Sequence, residues 1–244
     1  MKKSLLILLA VLSLAACRRI TPEQRIGQIN DHFNRHPDEY TAKIEQYQEQ
    51  KRVDYLSLVL LRDLGAQDAW TLEAAGQNSL VAEYPGNEEG VLTLLSASLD
   101  DPAACGAVLN VCKAFKDLKI KHKNSILALF YSAAVDSAGT GSLAALDQEL
   151  REEGQLASFR IEVSSCDTLP RRTFVLDERP GFAERILEVI PPYLAPIGEY
   201  RMIQGTYPPK PWPFRAPVYR FALNPDDLQR DFSALTAVSY LLNF

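Results

Sequence analysis

The period of the hydrophobic pattern changes once along this chain, near Gly154. Before that point apolar residues recur at intervals of three and four, which is typical of helices that bury one face. After it they alternate with polar residues, which indicates strands with one buried face. The helical stripes include Val53, Leu56, Leu60 and Leu64, and then Val108, Val111, Cys112, Phe115 and Leu118; the first alternating run is Phe159, Ile161 and Val163. The sequence therefore predicts a mainly α protein, with a helical part over residues 17–154 and a smaller mixed α+β part over residues 155–244.

Two arrangements of the helical part remain open. Three segments that are predicted to end helices recur at a spacing of about 35 residues, which suits helical hairpins stacked into an α-solenoid. They are Leu60–Leu64, Leu95–Leu99 and Tyr131–Val135. The tryptophan, glycine, tyrosine and proline pattern of tetratricopeptide repeats is missing, so an irregular helical bundle is the alternative.

Further elements can be placed from capping residues and short apolar runs. Thr21, Pro22 and Gln24 form a capping box that begins the first helix, and Asp101 before Pro102 begins another. In the C-terminal part, short runs predict strands and two patterns predict helices. The strand segments are Thr173–Leu176, Tyr200–Ile203 and Val218–Leu223, and the helices run from about Gly181 to Ile190 and onward from a cap at Asn224.

Two of the three histidines are spaced like metal ligands on one helical face. His32 and His36 lie four residues apart, but Pro37 follows at once, which predicts that the helix ends at His36. The segment also lacks the glutamate that the zinc-protease motif places after its first histidine. The sequence therefore predicts no metal site here.

The first seventeen residues differ in character from the rest. Lys2 and Lys3 precede an apolar and small-residue run, Leu5–Ala16, that is too short to span a bilayer, since about 18 to 20 residues are needed. Cys17 follows Leu-Ala-Ala directly, and two arginines then end the apolar run. This arrangement predicts a secretion signal.

The segment resembles the signal and lipobox of bacterial lipoproteins, over residues 1–17 only. The resemblance implies that the Cys17 thiol is linked to diacylglycerol, that the leader is removed before Cys17 and that the new amino group is acylated. Two or three acyl chains hold a protein at a membrane essentially permanently. Because Arg18 and not aspartate follows, the resemblance also implies the outer membrane of the bacterial envelope, facing the periplasm.

Three cysteines remain in a compartment that permits disulfides, and three cannot all pair. Cys105 and Cys112 lie on one face of a predicted helix with a rise of about 10 Å between them, which is too far for a bridge. A bridge from one of them to Cys166 is more plausible. The alternative is that all three are small buried apolar residues.

No motif in the mature chain indicates catalysis or cofactor binding. It has no Gly-x-Ser-x-Gly elbow, no Ser-x-x-Lys pair and no phosphate-binding loop that ends in Gly-Lys. Removing the leader takes away Lys2 and Lys3 and no acidic residue, which leaves 24 basic against 31 acidic residues. This balance argues against a nucleic-acid partner. We predict no catalytic residue, metal or cofactor.

Two stretches are candidate interaction surfaces. The basic cluster is a solvated helix face or a contact for lipid headgroups; it consists of Lys113, Lys116, Lys119, Lys121, His122 and Lys123. The second stretch mixes proline with Tyr207, Trp212 and Phe214, which favours a stiff, extended segment. These aromatic residues form either an exposed hot spot for a partner or a lid folded onto the core.

These observations predict a lipid-anchored, non-catalytic envelope protein that binds another envelope protein as a scaffold, assembly factor, inhibitor or immunity protein. Helical hairpins commonly build such binding surfaces. One alternative is an envelope hydrolase that acts on peptidoglycan or lipid. A lipoprotein that binds a small ligand is another.

Overall fold

The computed structural model describes residues 20–74, 77–132, 141–165, 171–176, 182–205 and 217–243. These residues form an eight-stranded mixed β-sheet with helices packed on both faces. The prediction of a mainly α protein, as a solenoid or a bundle of helical hairpins, is therefore wrong.

The strands are β1 Asp68–Ala74, β2 Gln77–Tyr84, β3 Glu88–Ser98, β4 Asn124–Tyr131, β5 Leu156–Ser164, β6 Thr173–Leu176, β7 Arg201–Gln204 and β8 Val218–Ala222. The helices are α1 Pro22–Arg35, α2 Thr41–Glu45, α3 Glu49–Leu58, α4 Pro102–Asp117, α5 Ser142–Glu152, α6 Phe182–Val189, α7 Pro191–Leu194 and α8 Leu228–Leu242. A π-helical turn, Val59–Asp63, continues α3, and a 3-10 turn, Pro225–Asp227, precedes α8.

The strand order across the sheet is β1-β2-β4-β3-β5-β8-β6-β7. The four central strands, β4, β3, β5 and β8, run parallel to one another. Strands β1 and β2 are antiparallel to each other, β2 is antiparallel to β4, and β6 is antiparallel to β8 but parallel to β7. The centre of the sheet is thus a parallel α/β arrangement with antiparallel strands toward the edges.

Each face of the sheet has its own core. On the larger face, α1, α4 and α8 pack against one another and against apolar residues such as Leu95, Ile161 and Phe221. On the smaller face, α5 contributes Leu143, Leu146 and Leu150, which pack on β2, β3 and β4. The connection after β3 therefore leads to one face and the connection after β4 to the other.

Strands β3 and β4 explain the wrong fold class. Leu94 belongs to the smaller core and its neighbour Leu95 to the larger one, and both are about 1% exposed. A parallel strand buried on both faces shows a continuous apolar run in place of an alternation, and a short run of this kind cannot be told from a helix by its period. The predicted helix end Leu95–Leu99 lies largely within β3.

Several local predictions are confirmed. Thr21 caps α1 in a reciprocal capping box with Gln24, and α1 ends at Arg35 with His36 as its C-cap. Asp101 caps α4, and β6 has the predicted bounds. The strand predicted around Phe159–Val163 is β5, which pairs in parallel with β3 across the predicted boundary between the two parts of the chain.

Within the described residues, no helix combines the length and the apolar character that crossing a bilayer requires.

Candidate functional site at the carboxyl edge of the sheet

The carboxyl ends of β4, β3, β5 and β8 lie side by side along one edge of the sheet, which we call the carboxyl edge. In open α/β sheets, ligands bind outside this edge, at the point where successive connections leave toward opposite faces. Here that point lies between β3 and β4, because α4 and α5 pack on opposite faces. The carboxyl edge is therefore where a functional site is expected.

Asp101 joins two of these strand ends. Its Oδ1 accepts hydrogen bonds from the Ala104 amide at 3.0 Å and from the Ser165 hydroxyl at 2.7 Å, and its Oδ2 accepts from the Ser165 amide at 2.7 Å. The first bond caps α4, and the other two fasten the loop after β3 to the end of β5. Both carboxylate oxygens thus have partners within the chain, which gives Asp101 a positioning role.

A charged cluster lies on the sheet face next to this edge; we call it the arginine cluster, and it consists of Ser96, Tyr131, Arg160, Glu162 and Arg220. Glu162 accepts a hydrogen bond from the Tyr131 hydroxyl at 2.8 Å and one from Arg220 Nε at 3.1 Å. Arg160 donates from Nε to Ser96 Oγ at 2.8 Å, and its Nη2 lies 3.8 Å from Glu162 Oε1. The Arg160 guanidinium also lies over the Tyr131 ring, 5.5 Å from its centre.

Strand register explains how these side chains meet. Glu162 is directly opposite Arg220 on β8 and directly opposite Ser96 on β3. Arg160 and Glu162 are two residues apart on β5, so both side chains leave the same face. With Tyr131 at the end of β4, the residues of the arginine cluster come from the four neighbouring parallel strands β4, β3, β5 and β8.

The arginine cluster can bind and orient an anionic or carbonyl group. Its five residues include two guanidinium groups and one carboxylate. The side chains of Glu162 and Arg220 are 15% and 16% exposed, whereas that of Arg160 is fully buried behind them. Fixed N–H donors of this kind bind carboxylates strongly and stabilise negative charge that develops on an oxygen.

Sequence reasoning missed this cluster. The alternation along β5 predicts that its polar residues face solvent, yet Arg160 is fully buried. The available signal was an arginine and a glutamate in a strand of otherwise apolar character. That signal becomes informative only if β5 is known to be a central strand, because both faces of such a strand are covered and charged residues there need partners.

The cysteines do not form a reactive site in the described part of the chain. Cys105 and Cys112 carry free, buried thiols on α4, and Cys105 Sγ donates to the Ser98 carbonyl at 3.1 Å. Burial raises the pKa of both thiols, to about 12 for Cys112, so both stay protonated at neutral pH. Cys166 lies outside the described residues, and a bridge to it stays a prediction.

The other predicted site residues also lie outside the described ranges. They are Cys17, the predicted lipidation site, and the aromatic residues Tyr207, Trp212 and Phe214. The interaction surface predicted for the aromatic residues therefore stays a prediction. The lysines of the basic cluster lie at the opposite end of α4 from Asp101, away from the carboxyl edge.

No protein-family model matches the chain, and no curated protein matches it in sequence. Solved structures do match its fold. The LapA aminopeptidase of Legionella pneumophila superimposes with a TM-score of 0.60 at 11% identity, over 94% of this chain and 74% of that one. A Zn-dependent exopeptidase from Parabacteroides distasonis gives a TM-score of 0.52 at 10% identity, over 91% and 98%. An endoglucanase from Thermotoga maritima also matches, with a TM-score of 0.52 at 9% identity, over 78% and 91%.

The chain thus has an α/β fold that is also found in exopeptidases. The prediction of a non-catalytic protein-binding scaffold, assembly factor, inhibitor or immunity protein is wrong, because the described residues form an α/β sheet of the kind found in exopeptidases and not the helical hairpins that the prediction relied on. The same finding removes the predicted helical repeat. The alternative of an envelope hydrolase agrees better with the fold.

The zinc named for the Parabacteroides distasonis exopeptidase does not fit the residues described here. Catalytic zinc sites typically include histidine ligands, and all three histidines of this chain lie elsewhere. His122 precedes β4, whose eight residues place it about 25 Å from the carboxyl edge. His32 lies 3.9 Å from Asp117, at the far end of α4, and its ring packs against that of His36. Among the described residues, moreover, no three histidine, cysteine or acidic side chains are grouped so as to hold a metal ion.

Proposed function

We propose that this protein is a hydrolase of the bacterial cell envelope that cleaves peptide bonds at the carboxyl edge. The observation that carries the proposal is the fold, which matches an aminopeptidase over 94% of the chain. The arginine cluster supports the location, because it places buried charges beside the edge where folds of this kind bind ligands. Peptides of the cell wall are the substrates within reach of an envelope protein.

The chain's own residues would bind and orient the substrate. Arg220, which is partly exposed, would donate to a substrate carbonyl or terminal carboxylate. Glu162 and Tyr131 hold Arg220 in place through the hydrogen bonds described above. Because histidine is absent from this edge, we expect hydrolysis here to depend on carboxylates, hydroxyls and water and not on a zinc ion held by histidine.

The test is an assay of the mature chain without its lipid, residues 18–244, which contain every described helix and strand. Peptide mixtures and isolated peptidoglycan would be incubated with the protein, and the cleavage products would be identified by mass spectrometry. We expect cleavage that persists in EDTA. A complete lack of cleavage of both substrates by the folded protein would overturn the proposal. If EDTA abolished cleavage and added zinc restored it, the expectation of hydrolysis without zinc would be wrong.

Arg220→Gln tests the site. Loss of a charge-assisted hydrogen bond of about 1.5 to 3 kcal/mol should lower kcat/KM by roughly tenfold to a hundredfold. The matched control is Arg201→Gln, which removes one exposed arginine from the edge strand β7. Equal activity of the two variants would place the site elsewhere.

We further propose that lipid on Cys17 holds the protein at the outer membrane, facing the periplasm. The lipoprotein-like leader supports this, as does the short distance in sequence between Cys17 and the first helix. Mass spectrometry of the N-terminus from the native host should find an acylated Cys17 as the first residue. An uncut, unacylated N-terminus in the cytosolic fraction would contradict it.

A further inference from the structure

A cavity of about 420 Å³ opens at the amino edge of the sheet, at the opposite end of α4 from the candidate hydrolytic site. It lies between the last turns of α4, the turn after the π-helical segment, the end of β2 and the start of β4. Its walls are predominantly apolar and include Leu64, Tyr84, Val111, Cys112, Phe115 and Ile126. A cavity of this size and character is large enough for a small ligand with a hydrocarbon part.

Three exposed lysines surround the mouth of this cavity: Lys116, Lys119 and Lys121. Lys116 donates to the Asp63 carbonyl at 2.6 Å and so closes one side of the mouth. Lys119 and Lys121 make no ion pair with any other described residue, in contrast to Lys113 with Glu39 and Lys123 with Glu88. The two unpaired ammonium groups are thus available to an anion from solution.

His122 contributes no charge to the mouth. Its Nδ1 donates to the Asn124 carbonyl at 3.1 Å, and its ring stacks on Phe115 with centres 5.8 Å apart. Burial lowers the pKa of His122, so its ring is neutral at physiological pH. The positive charge of the mouth therefore comes from lysines alone and persists across the physiological range.

The backbone at Lys119 is a second sign of a specialised position. Lys119 has φ of +49° in the turn that ends α4, where its amide donates to the Lys116 carbonyl and the Ile120 amide donates to the Phe115 carbonyl. This is the Schellman arrangement, whose left-handed position is usually glycine. A lysine in that position places its ammonium at the cavity mouth at the cost of backbone strain.

The mouth also lies at the end of the molecule where the N-terminal segment begins. Arg25 of α1 donates to the Leu118 carbonyl at 3.0 Å, next to Lys119 in sequence. Thr21 begins α1 only four residues after Cys17, and four residues span at most about 14 Å. A lipid on Cys17 would therefore hold this end of the molecule near the bilayer.

We propose that the amino-edge cavity binds the hydrocarbon chain of an anionic amphiphile, with the acidic head group held by Lys119 and Lys121. The apolar walls take the chain, and the lysines select a carboxylate or phosphate over a neutral head. Two sources share this chemistry, a free fatty acid and an anionic membrane phospholipid. The site is independent of any hydrolysis at the carboxyl edge.

Calorimetry with residues 18–244 tests the site with three probes: octanoate, dodecanoate and dodecanol. Each methylene buried in an apolar site tightens binding about fourfold. We therefore expect dodecanoate to bind at least tenfold more tightly than octanoate, and at least tenfold more tightly than the uncharged dodecanol. Equal affinities for the two acids, or for dodecanoate and dodecanol, would overturn the proposal.

Three variants test whether dodecanoate binds inside the cavity or only to the charged surface of α4. Cys112→Phe, whose larger side chain would occupy the cavity, should abolish dodecanoate binding. Lys119→Gly should weaken dodecanoate binding threefold to tenfold without loss of folding. Lys113→Gln removes one charge from the same helix away from the mouth and should leave the affinity unchanged. Circular dichroism and thermal melting confirm folding of each variant; unaltered binding by a folded Cys112→Phe would refute the site.

Vesicles distinguish the two sources. Binding to phosphatidylcholine vesicles that contain phosphatidylglycerol, with the same dependence on Cys112 and Lys119, supports the cavity and identifies a membrane phospholipid. Binding of monomeric dodecanoate without binding to these vesicles supports the cavity and identifies a free acid. If neither dodecanoate nor the vesicles bound, the proposed cavity site would be wrong, whatever the result of the hydrolysis assay.

Discussion

Among the described residues, two other than glycine adopt the left-handed backbone conformation, Lys119 with φ of +49° and Arg172 with φ of +55°. For an L-amino acid this conformation is strained, at a cost of roughly 1 to 2 kcal/mol. At Arg172 the strain is offset by ion pairs of its guanidinium with Asp227 and Asp231. Lys119 has no such partner within the described residues, so the two positions should respond differently to glycine.

Lys119→Gly should therefore raise the free energy of unfolding by about 1 kcal/mol, because glycine relieves the strain. Urea denaturation of residues 18–244 measures the change. Arg172→Gly is the matched control: it relieves similar strain but loses the ion pairs, and we expect it to lower stability. A less stable Lys119→Gly would mean that the lysine itself stabilises the helix end.

Asp231 on α8 should make stability depend on pH. Burial raises the pKa of this fully buried carboxyl from 3.8 to about 6. Three contacts act in the opposite direction and lower the pKa: a hydrogen bond from the Tyr200 hydroxyl at 3.0 Å, a hydrogen bond from the Asn224 amide, and an ion pair with Arg172 at 3.6 Å. The nearby Asp227 carboxylate acts in the same direction as burial. Because the pKa is raised on folding, the protonated form favours the native state.

The contribution of Asp231 to the free energy of unfolding should be fully present below about pH 4 and should be lost as the pH rises through about 6. The stability of the wild type minus that of Asp231→Asn should therefore fall between pH 4 and pH 7 in urea titrations. Taking the difference removes the shared response of the other carboxylates. A difference that stays constant or increases with pH would contradict the raised pKa.

At the scale of elements, the connection from β3 to α4 depends on Asp101. Asp101→Ala removes the cap of α4 and both bonds to Ser165, and we expect it to lower the free energy of unfolding by about 2 kcal/mol. Ser165→Ala, which removes only the hydroxyl bond, should cost about 1 kcal/mol. Asp100→Ala is the control, since Asp100 is exposed, and it should change little. Equal stabilities of the two aspartate variants would exclude the capping role.

The sequence predicts some elements well and others poorly for a physical reason. Helix starts with a capping residue, such as Thr21 and Asp101, are local signals and are found correctly. Strand β6 and the alternating strand β5 are also found. Strands β3 and β4 are rich in leucine and alanine and are buried on both faces, so neither their period nor their composition separates them from helices.

The same limitation hides the candidate site. Knowing that Arg160 and Glu162 are buried requires knowing that β3 and β8 lie on either side of β5, which is information about pairing over long sequence distances. The basic cluster is visible in sequence, whereas the cavity beside it is formed by α4, β2, β4 and the turn after the π-helical segment. Sequence patterns report single elements, and both sites are built between elements.

At the scale of the whole molecule, the two predicted parts of the chain share one sheet. Strand β3 from the first part pairs with β5 from the second, and α8 packs on α1 and α4. A fragment of residues 18–154 would lose the β5 partner of β3 and the α8 cover of the larger core. We therefore expect this fragment to lack cooperative urea unfolding when measured by circular dichroism, whereas residues 18–244 unfold cooperatively; a cooperative transition in the fragment would show that the first part folds by itself.

Helix α4 sets a height above the bilayer. Its sixteen residues separate Asp101 from Lys119 by about 24 Å, so the proposed lipid anchor near Lys119 would hold the carboxyl edge at a comparable distance from the membrane. Under the proposed anchoring and function, the hydrolytic site would be held away from the bilayer surface. It would then meet cell-wall peptides in the periplasm, whereas the amino-edge cavity would meet the membrane lipids.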